Sequence, residues 1–248
     1  MKDIQNKNIW IIGASSGIGK ALAVELAAQG AVMALSARSK EALEMLNADL
    51  GGGHHVFPLD ISDTDAIVKA ARSIQADFPK LDSIISLAAI YNPTTLDKLD
   101  MAEIRTIIDV NLIGSFNIVH AALPIFEAQK SGQLVLCGSV AGYRGLPGGQ
   151  PYSATKAAII NLAESLKAEK PHLDIKVINP GFVRTPLTDK NDFKMPMMIE
   201  PEEAAKAIAK GLKSRDFEIH FPKKFTYIMK CLRSLPYVFY FCLVKKII

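Results

Sequence analysis

Short apolar runs of four to six residues alternate with longer runs of helical period along most of this chain. The short runs are apolar throughout, not alternating with polar residues, as expected for strands of a parallel sheet that helices cover on both faces. This alternation predicts an α/β fold, a doubly wound parallel β-sheet flanked by helices. Such sheets bind ligands at the carboxyl ends of their strands, where the strand order reverses.

The predicted elements follow from these runs. The predicted strands are Asn8–Ile12, Ala31–Ser36, His55–Pro58, Ser83–Ala88, Gln133–Cys137, Asp174–Asn179 and Phe217–His220. The predicted helices are Ile18–Gln29, Lys40–Leu50, one from the N-cap Ser62 to about Asp77, Met101–Asn111 and Ser115–Gln129 (separate or fused), Tyr152–Lys170 and Pro201–Lys213. The 248 residues are 49% apolar and contain neither a linker nor a repeat, so we predict a single domain.

The charge of the chain is unevenly distributed. Residues 221–248 carry six Lys and Arg and no acid, so the formal charge of +4 leaves −2 for the remainder. This distribution gives no basic groove for a nucleic acid. The N-terminal MKDIQNKNIW lacks the apolar stretch of a secretory signal, and Cys137, Cys231 and Cys242 match no metal or redox motif. We expect a cytoplasmic protein without a metal site, with His54 and His55 at the surface.

A glycine-rich segment follows the first predicted strand with the spacing G-x-x-x-G-x-G. Glycines at such a turn allow a tight bend, a close approach of backbone to a pyrophosphate, and close contact between helix and strand. The next helix points its N-terminal amides and dipole at the phosphates. The segment predicts a Rossmann-type dinucleotide site, the alternative being a plain strand-to-helix turn. Its residues are Gly13, Ser15, Ser16, Gly17, Ile18 and Gly19.

The end of the second strand bears on the choice of cofactor. An acidic residue there would bind the ribose 2′-hydroxyl of NAD, but Ala37 and then Arg38 occupy these positions. A guanidinium suits a 2′-phosphate, so we predict NADP(H) in preference to NAD(H). The alternative is that Arg38 is a solvated surface charge. Asp60, after the third strand, either accepts from the adenine amine or caps a helix.

A tyrosine and a lysine four residues apart in one helical pattern provide a candidate reacting centre. Tyr152 and Lys156 lie on one helix face. A free phenol, with a pKa of about 10, is a poor base at neutral pH, and a nearby ammonium favours its ionised form. Ser139 ends the fifth strand at the ligand edge of the sheet, where its hydroxyl can hold a substrate carbonyl. This set predicts hydride transfer between the cofactor and a carbonyl/alcohol substrate.

These motifs together resemble the classical short-chain dehydrogenase/reductases over about residues 5–220. GASSGIG (13–19) is similar to the family's cofactor loop. The run from Ser139 through YSATK (152–156) is similar to its active site. DVNLIGSF (109–116) contains the family's helix asparagine, and NPGFVRTP (179–186) resembles its nicotinamide-contacting segment.

The resemblance implies a role for each matching residue. It implies that Tyr152 is the catalytic acid/base and that Lys156 binds the nicotinamide ribose and lowers the pKa of Tyr152. Ser139 would orient the carbonyl, and Asn111 would help to hold a water in the proton relay. We expect a small-molecule substrate and a homodimer or homotetramer.

The resemblance also assigns cofactor contacts after the fourth and sixth strands. Val183 and Thr185 would contact the carboxamide after the turn at Pro180 and Gly181, and Ala88 would line the cofactor site. The chain departs from the family at Ser86-Leu87-Ala88-Ala89, where Asn-Asn-Ala-Gly is usual. Ser86 replaces only part of the asparagine's hydrogen bonds, and Ala89 adds a methyl group beside the cofactor.

The C-terminal end is rich in Phe, Tyr, Leu and Ile. We treat residues 1–222 as the dinucleotide-binding catalytic domain and 223–248 as a basic apolar extension of it. Its longest apolar run, Pro236–Val244, is shorter than the roughly 18–20 residues that span a membrane. Two interpretations stay open: the extension covers the pocket or contacts another subunit, or it lies peripherally on a membrane.

Within the catalytic domain, we expect a substrate lid near 186–200. Its Met195, Met197 and Met198 favour an apolar substrate. Tyr91 and Tyr143 either line the substrate pocket or are ordinary packing residues. Two alternatives to a reductase of this kind are a non-catalytic NADP(H)-binding sensor or scaffold, and a membrane-surface reductase that modifies lipids.

Overall fold

The computed structural model describes residues 1–244, and within them seven strands form one parallel sheet. The strands are β1 (Asn8–Ile12), β2 (Val32–Ser36), β3 (His55–Val56), β4 (Ser83–Ser86), β5 (Gln133–Cys137), β6 (Asp174–Pro180) and β7 (Glu218–Phe221). Their order across the sheet is β3-β2-β1-β4-β5-β6-β7. The order reverses between β1 and β4, which confirms the doubly wound sheet predicted from the sequence.

Nine α-helices accompany the sheet within residues 1–244. They are α1 (Gly17–Ala28), α2 (Lys40–Asp49), α3 (Thr64–Asp77), α4 (Met101–Ile108), α5 (Gly114–Gln129), α6 (Tyr152–Glu169), α7 (Pro201–Leu212), α8 (Lys223–Ser234) and α9 (Tyr237–Val244). The first seven coincide with predicted helices to within a few residues. The last two divide the C-terminal extension, for which the sequence had predicted no definite element.

Both faces of the sheet are buried under helices, as the apolar strands predicted. Along β1, Trp10 and Ile12 join a core cluster with side chains of α3, α5 and α6. Ile9 and Ile11 point to the opposite face and join a cluster with α1, α2 and α7. The chain is therefore a three-layer α/β domain whose strand ends are held rigidly by apolar contacts on both sides.

Several element boundaries differ from the predictions, and three of them lie beside the ligand edge of the sheet. Asp63 caps α3 by accepting from the Ala66 amide at 3.0 Å, so the prediction of Ser62 as N-cap was wrong. The Ser62 hydroxyl instead donates to Asp60 at 2.6 Å. β3 ends at Val56, two residues before Pro58, which has no amide to donate. The chain also leaves β4 earlier than predicted, so the residues after Ser86 form the edge of a cleft.

Helices α4 and α5 form one continuous helical segment, Met101–Gln129, joined by a π-helical turn at Asp109–Ile113. By length and composition this segment is apolar enough to cross a membrane. Half of its apolar window is buried inside the protein, however, and a core helix passes the same test. The π-helical turn holds Asn111, which is 1% exposed. Such turns in α-helices frequently occur at functional sites.

Candidate active site

A cleft of about 500 Å³ lies at the carboxyl ends of the strands where their order reverses. Loops that follow β1 to β6 line it. All of the cofactor positions predicted from the sequence lie in its wall. These are Gly13, Ser15, Ser16, Gly17, Ile18, Gly19, Arg38, Asp60, Ala88, Tyr152, Lys156, Pro180, Gly181, Val183 and Thr185.

The glycine loop is shaped by close backbone contacts. Gly13 has a φ of +92°, and a Cβ there would lie 2.6 Å from the Ala88 amide nitrogen. A Cβ on Gly19 would lie 2.0 Å from the carbonyl oxygen of Gly13. Both positions therefore exclude any larger residue. These contacts hold the loop between the start of α1 and the end of β4.

The N-terminus of α1 suits an anion. Its first turn contains no acidic residue, and the N-cap Ser16 makes no side-chain hydrogen bond to it. The positive end of the helix dipole is therefore directed at the cleft without an internal counter-charge. A dinucleotide phosphate fits this arrangement.

The far end of the cleft, after β2 and β3, is bordered by Arg38 and Asp60. Arg38 is exposed, as its guanidinium must be to meet a bound phosphate. A hydrogen bond from the Ser62 hydroxyl, assisted by the Ser62 amide and the Arg38 charge, lowers the pKa of Asp60 against its partial burial. Asp60 therefore stays ionised, and it stabilises the turn before α3 without capping that helix.

The predicted reacting groups meet at the opposite end of the cleft. Tyr152 and Lys156 lie on the face of α6 that lines it, with Lys156 Nζ 5.4 Å from the centroid of the Tyr152 ring. Lys156 is 1% exposed, and its Nζ donates to the carbonyl of Cys137 at 2.7 Å. Ser139 follows β5, and its Oγ accepts from the Ala141 amide at 3.1 Å. The fold thus brings hydroxyl, phenol and ammonium together.

The pKa of the phenol is determined mainly by burial. Burial raises the pKa of Tyr152 above its ordinary value, and Cys137 adds to this, while a hydrogen bond with Ser139 opposes it. Burial also lowers the pKa of Lys156. Desolvation of the phenol thus dominates its pKa in this structure, and the ammonium is directed at the Cys137 carbonyl. The lowering of the Tyr152 pKa by Lys156 that the resemblance implies stays a prediction.

Asn111 lies behind the cleft and is not among the residues that line it. Its Oδ1 accepts from the Ile90 amide at 2.8 Å, and its Nδ2 donates to the Ile90 carbonyl at 2.9 Å. The same Nδ2 lies 3.3 Å from Thr155 Oγ1 on α6. Asn111 thus ties the segment after β4 to the helix of Tyr152. The side chain that the resemblance assigned to a proton relay has a positioning contact here.

A lid contact that the sequence did not predict closes this end of the cleft. The Tyr91 hydroxyl donates to Asn191 Oδ1 at 2.8 Å, and Lys190 Nζ donates to the Tyr91 carbonyl at 2.8 Å. Tyr91 lines the cleft together with the apolar residues Ile90, Val110 and Leu187. Sequence analysis considered Tyr91 either a pocket residue or ordinary packing, and Leu187 lies within the predicted lid. Ile90 and Val110 were not assigned, and only their places after a predicted strand and in a helix could have suggested them.

The predicted lid, 186–200, returns to the sheet edge through a bridge between Val183 and Ile199. Its Met195, Met197 and Met198 are not among the residues that line the cleft. Instead, Met195 Sδ accepts from Asn191 Nδ2 at 3.4 Å. The apolar surface facing the cleft comes from other residues.

Tyr143, one candidate for the substrate pocket, lies elsewhere. It is 5% exposed, and its hydroxyl donates to Glu218 on β7. Glu218 also accepts from Asn179 Nδ2 at 2.7 Å and from Lys230 Nζ of α8 at 2.5 Å. This cluster connects the loop after β5 to the C-terminal extension.

Within residues 1–244, no three His, Cys, Asp or Glu side chains are grouped so that they could hold a metal ion.

Comparisons with known proteins agree with this geometry. The family model described as short chain dehydrogenase matches residues 7–195. An uncharacterized oxidoreductase of Myxococcus xanthus is 33% identical over 241 residues, which cover 95% of each chain. The alcohol dehydrogenase of the archaeon Thermococcus sibiricus, solved with 5-hydroxy-NADP, is 29% identical, with a TM-score of 0.79 over 88% of this chain and 96% of its own.

A second solved structure shares the fold. The short chain dehydrogenase/reductase of Burkholderia phymatum, in complex with NAD, has a TM-score of 0.84 and 21% identity, and the match covers 93% of this chain and 94% of that one. The structural neighbours thus carry NADP or NAD in the corresponding fold.

Proposed function

Because the chain belongs to the short-chain dehydrogenase family, we propose that it transfers a hydride between NADP(H) and an apolar carbonyl/alcohol substrate, with Tyr152 exchanging the proton. One observation carries the proposal. Tyr152, Lys156 and Ser139 line one end of a single cleft whose other end is formed by the glycine loop and Arg38. A protein that only binds the cofactor needs the glycine loop and Arg38, whereas a hydride-transfer enzyme also needs the three reacting side chains.

In the proposed reaction, the nicotinamide supplies or accepts the hydride. The Ser139 hydroxyl orients the substrate carbonyl, and the Tyr152 hydroxyl donates a proton to its oxygen during reduction. Since burial raises the pKa of Tyr152, the phenol carries its proton at neutral pH. Lys156 would hold the ribose of the nicotinamide cofactor. Asn111 holds the segment at Ile90 against α6 through hydrogen bonds to both.

The proposed substrate class follows from the cleft wall. The cleft wall contains Ile90, Tyr91 and Val110, and the lid adds Leu187 and Lys190. Apolar side chains with a few directed polar groups are typical of sites for small organic ligands. We therefore favour ketones or secondary alcohols with an apolar body.

The mechanism is tested by Tyr152→Phe in an NADPH-dependent reduction of a panel of long-chain and cyclic ketones. We expect kcat to fall by at least about 100-fold, the size of a lost general acid, while the Kd of NADPH stays within about threefold. If Tyr152→Phe keeps most of the activity, the assigned acid is wrong. If the wild type binds NADPH but reduces no member of the panel, a cofactor-binding sensor replaces the enzyme.

The cofactor preference is tested separately, by binding. We expect the wild type to bind NADPH more tightly than NADH, since Arg38 can pair with the 2′-phosphate. Arg38→Asp should reverse the order by removing that pair and adding a partner for the ribose hydroxyls. Lys40→Asp, at another exposed cation of the same region, is the control and should leave the order unchanged. A wild type that prefers NADH would contradict the assignment.

A further inference from the structure

The C-terminal helix α9 is apolar throughout, yet it buries little of its surface. Its sequence is YVFYFCLV, and of its residues only Tyr240 and Val244 are buried in the described part of the chain. Its remaining large side chains are exposed and form what we call the α9 patch. The patch consists of Tyr237 (70% exposed), Val238 (74%), Phe239 (62%), Phe241 (55%) and Leu243 (43%). An exposed patch of this composition marks an interaction surface.

The patch is held in a fixed position. The Arg144 guanidinium lies 4.5 Å from the centroid of the Tyr237 ring and 4.3 Å from that of Tyr240. Its Nη1 donates to the carbonyls of Arg233 at 2.7 Å and Leu235 at 3.0 Å. These contacts attach α9 to the loop that runs from the end of β5 to α6. The patch is therefore presented by a docked helix and is not the surface of a frayed terminus.

A second contact from the same loop supports this arrangement. The Tyr240 hydroxyl donates to the carbonyl of Gly145, next to Arg144. The inner face of α9 thus packs on this loop, and its aromatic outer face is exposed. No side chain of α8 or α9 is among the residues that line the cleft, so the described extension does not cover the pocket.

The charges of the C-terminal extension favour an anionic partner. Lys230 pairs with Glu218 and Arg233 lies 3.8 Å from Glu164, so these two cations are matched by acids of the body. Lys223 and Lys224 are exposed and, within residues 1–244, form no ion pair with a carboxylate. The sequence adds two more lysines, 245–246, directly after α9 and outside the described residues.

We propose that the α9 patch docks into the interfacial layer of a bilayer that contains anionic lipids. Aromatic and aliphatic side chains flanked by lysines are the composition of helices that lie in such an interface. The eight residues of α9 extend about 12 Å, far less than the roughly 30 Å of a bilayer core, so the helix lies on the membrane and does not span it. This docking goes beyond hydride transfer and does not depend on it.

A second copy of the chain is the competing occupant. A two-fold contact through the α9 patch would bring together the basic extensions of both copies, with their lysines. Like charges at such an interface oppose association. An anionic lipid surface instead neutralises the same lysines while it accepts the aromatic side chains. The charge pattern therefore favours the bilayer.

The test is co-sedimentation of the full-length protein with vesicles of phosphatidylcholine alone or mixed with phosphatidylglycerol. We expect binding to the mixed vesicles, weakened by salt, and little binding to phosphatidylcholine. The double variant Val238→Ser/Phe239→Ser should lose about tenfold or more of the vesicle affinity, because it removes the two side chains with no partner in the fold. Met45→Ser, which removes an equally exposed apolar side chain on α2, is the matched control and should bind as the wild type does.

Charge is tested with Lys223→Glu/Lys224→Glu, which should reduce binding to the mixed vesicles only. Circular dichroism of each variant verifies that it is folded. Equal binding of wild type and Val238→Ser/Phe239→Ser, or no binding of the wild type to either vesicle, would overturn the proposal. So would a concentration-dependent dimer, measured by light scattering, that this double variant dissociates, because the occupant would then be a second copy.

Discussion

The ring of Tyr91 packs edge-on against the ring of Tyr152, with the two centroids 5.0 Å apart. Tyr91 is in turn bound by the lid, through its hydroxyl to Asn191 and through its carbonyl to Lys190. Burial, with a smaller contribution from the Asp192 charge, raises the pKa of Tyr91, so its hydroxyl remains a donor. Tyr152, the proposed acid, therefore contacts a residue that is itself hydrogen-bonded to the lid.

The lid contact predicts the effect of Tyr91→Phe. The variant keeps the ring contact with Tyr152 but removes the hydrogen bond to Asn191. A neutral hydrogen bond contributes about 1 kcal/mol, so we expect KM to rise about fivefold, with kcat within about twofold of the wild type. Steady-state kinetics with any ketone that the wild type reduces measures both. Tyr91→Ala should lower kcat as well, because the Tyr152 ring loses its neighbour.

A matched variant locates the effect. Asn191→Ala should raise KM as Tyr91→Phe does, and combining the two should add little, since both remove one hydrogen bond. Independent, additive effects of the two substitutions would show that the lid is not held through this pair.

The raised pKa of Tyr152 predicts its titration. A phenol with a raised pKa stays protonated through neutral pH and ionises only above its ordinary value of 10. Ultraviolet difference absorbance between wild type and Tyr152→Phe, in protein free of cofactor, reports this ionisation. We expect no tyrosinate from Tyr152 below about pH 10. Tyrosinate that forms near neutral pH would instead mean that Lys156 dominates the environment of the phenol.

The sequence predicted the frame of this site because the frame depends on local patterns. The glycine spacing, the apolar runs of the strands and the Tyr152–Lys156 spacing all concern neighbours in the chain, and each predicted the right element. It did not predict where the Lys156 ammonium points, because its partner is the carbonyl of Cys137, nineteen residues away. Helical spacing sets the face on which a side chain lies but not its burial, and burial decides the pKa of Tyr152.

Contacts that join distant segments of the chain were likewise not predicted from the sequence. Tyr91 and Asn191 are a hundred residues apart, and no periodicity relates them. In the sequence, Arg144 is a single cation in a glycine- and proline-rich loop. Its stacking against the rings of Tyr237 and Tyr240 is apparent only in the folded structure. Such pairs are determined by how three layers come together, which a pattern within one segment does not contain.

The close approach within the cofactor loop predicts the effect of Gly19→Ala. Because the new Cβ would lie 2.0 Å from a backbone oxygen, α1 must shift away from the loop. We expect a loss of about 2 kcal/mol or more in the free energy of unfolding and a Kd for NADPH at least about tenfold higher. Gly53→Ala is the control, since its Cβ would meet nothing within 4 Å. Urea unfolding and fluorescence titration measure the two effects, and a Gly19→Ala protein as stable as Gly53→Ala would contradict the described loop.

The Glu218 cluster predicts how stability depends on pH. Burial would raise the pKa of Glu218, but hydrogen bonds from Lys230, Tyr143 and Asn179, with the Lys230 charge, hold it below its ordinary value of 4.5. A carboxyl whose pKa is lowered in the folded state stabilises the protein above the pKa of the unfolded state. That contribution disappears as the pH falls through the folded-state pKa.

We therefore expect Glu218→Gln to lower the free energy of unfolding by about 2 kcal/mol at neutral pH, as for a hydrogen-bonded charge that loses its ionic contacts. The difference from the wild type should shrink as the pH falls through the lowered pKa of Glu218, where the carboxylate takes up a proton. Urea unfolding at a series of pH values measures it. Glu44→Gln, in an exposed pair with Lys40, is the control and should change stability by less than about 1 kcal/mol at every pH. A Glu218→Gln deficit that stays constant into acid would show that packing, and not the ionised carboxylate, joins the C-terminal extension to the loop after β5.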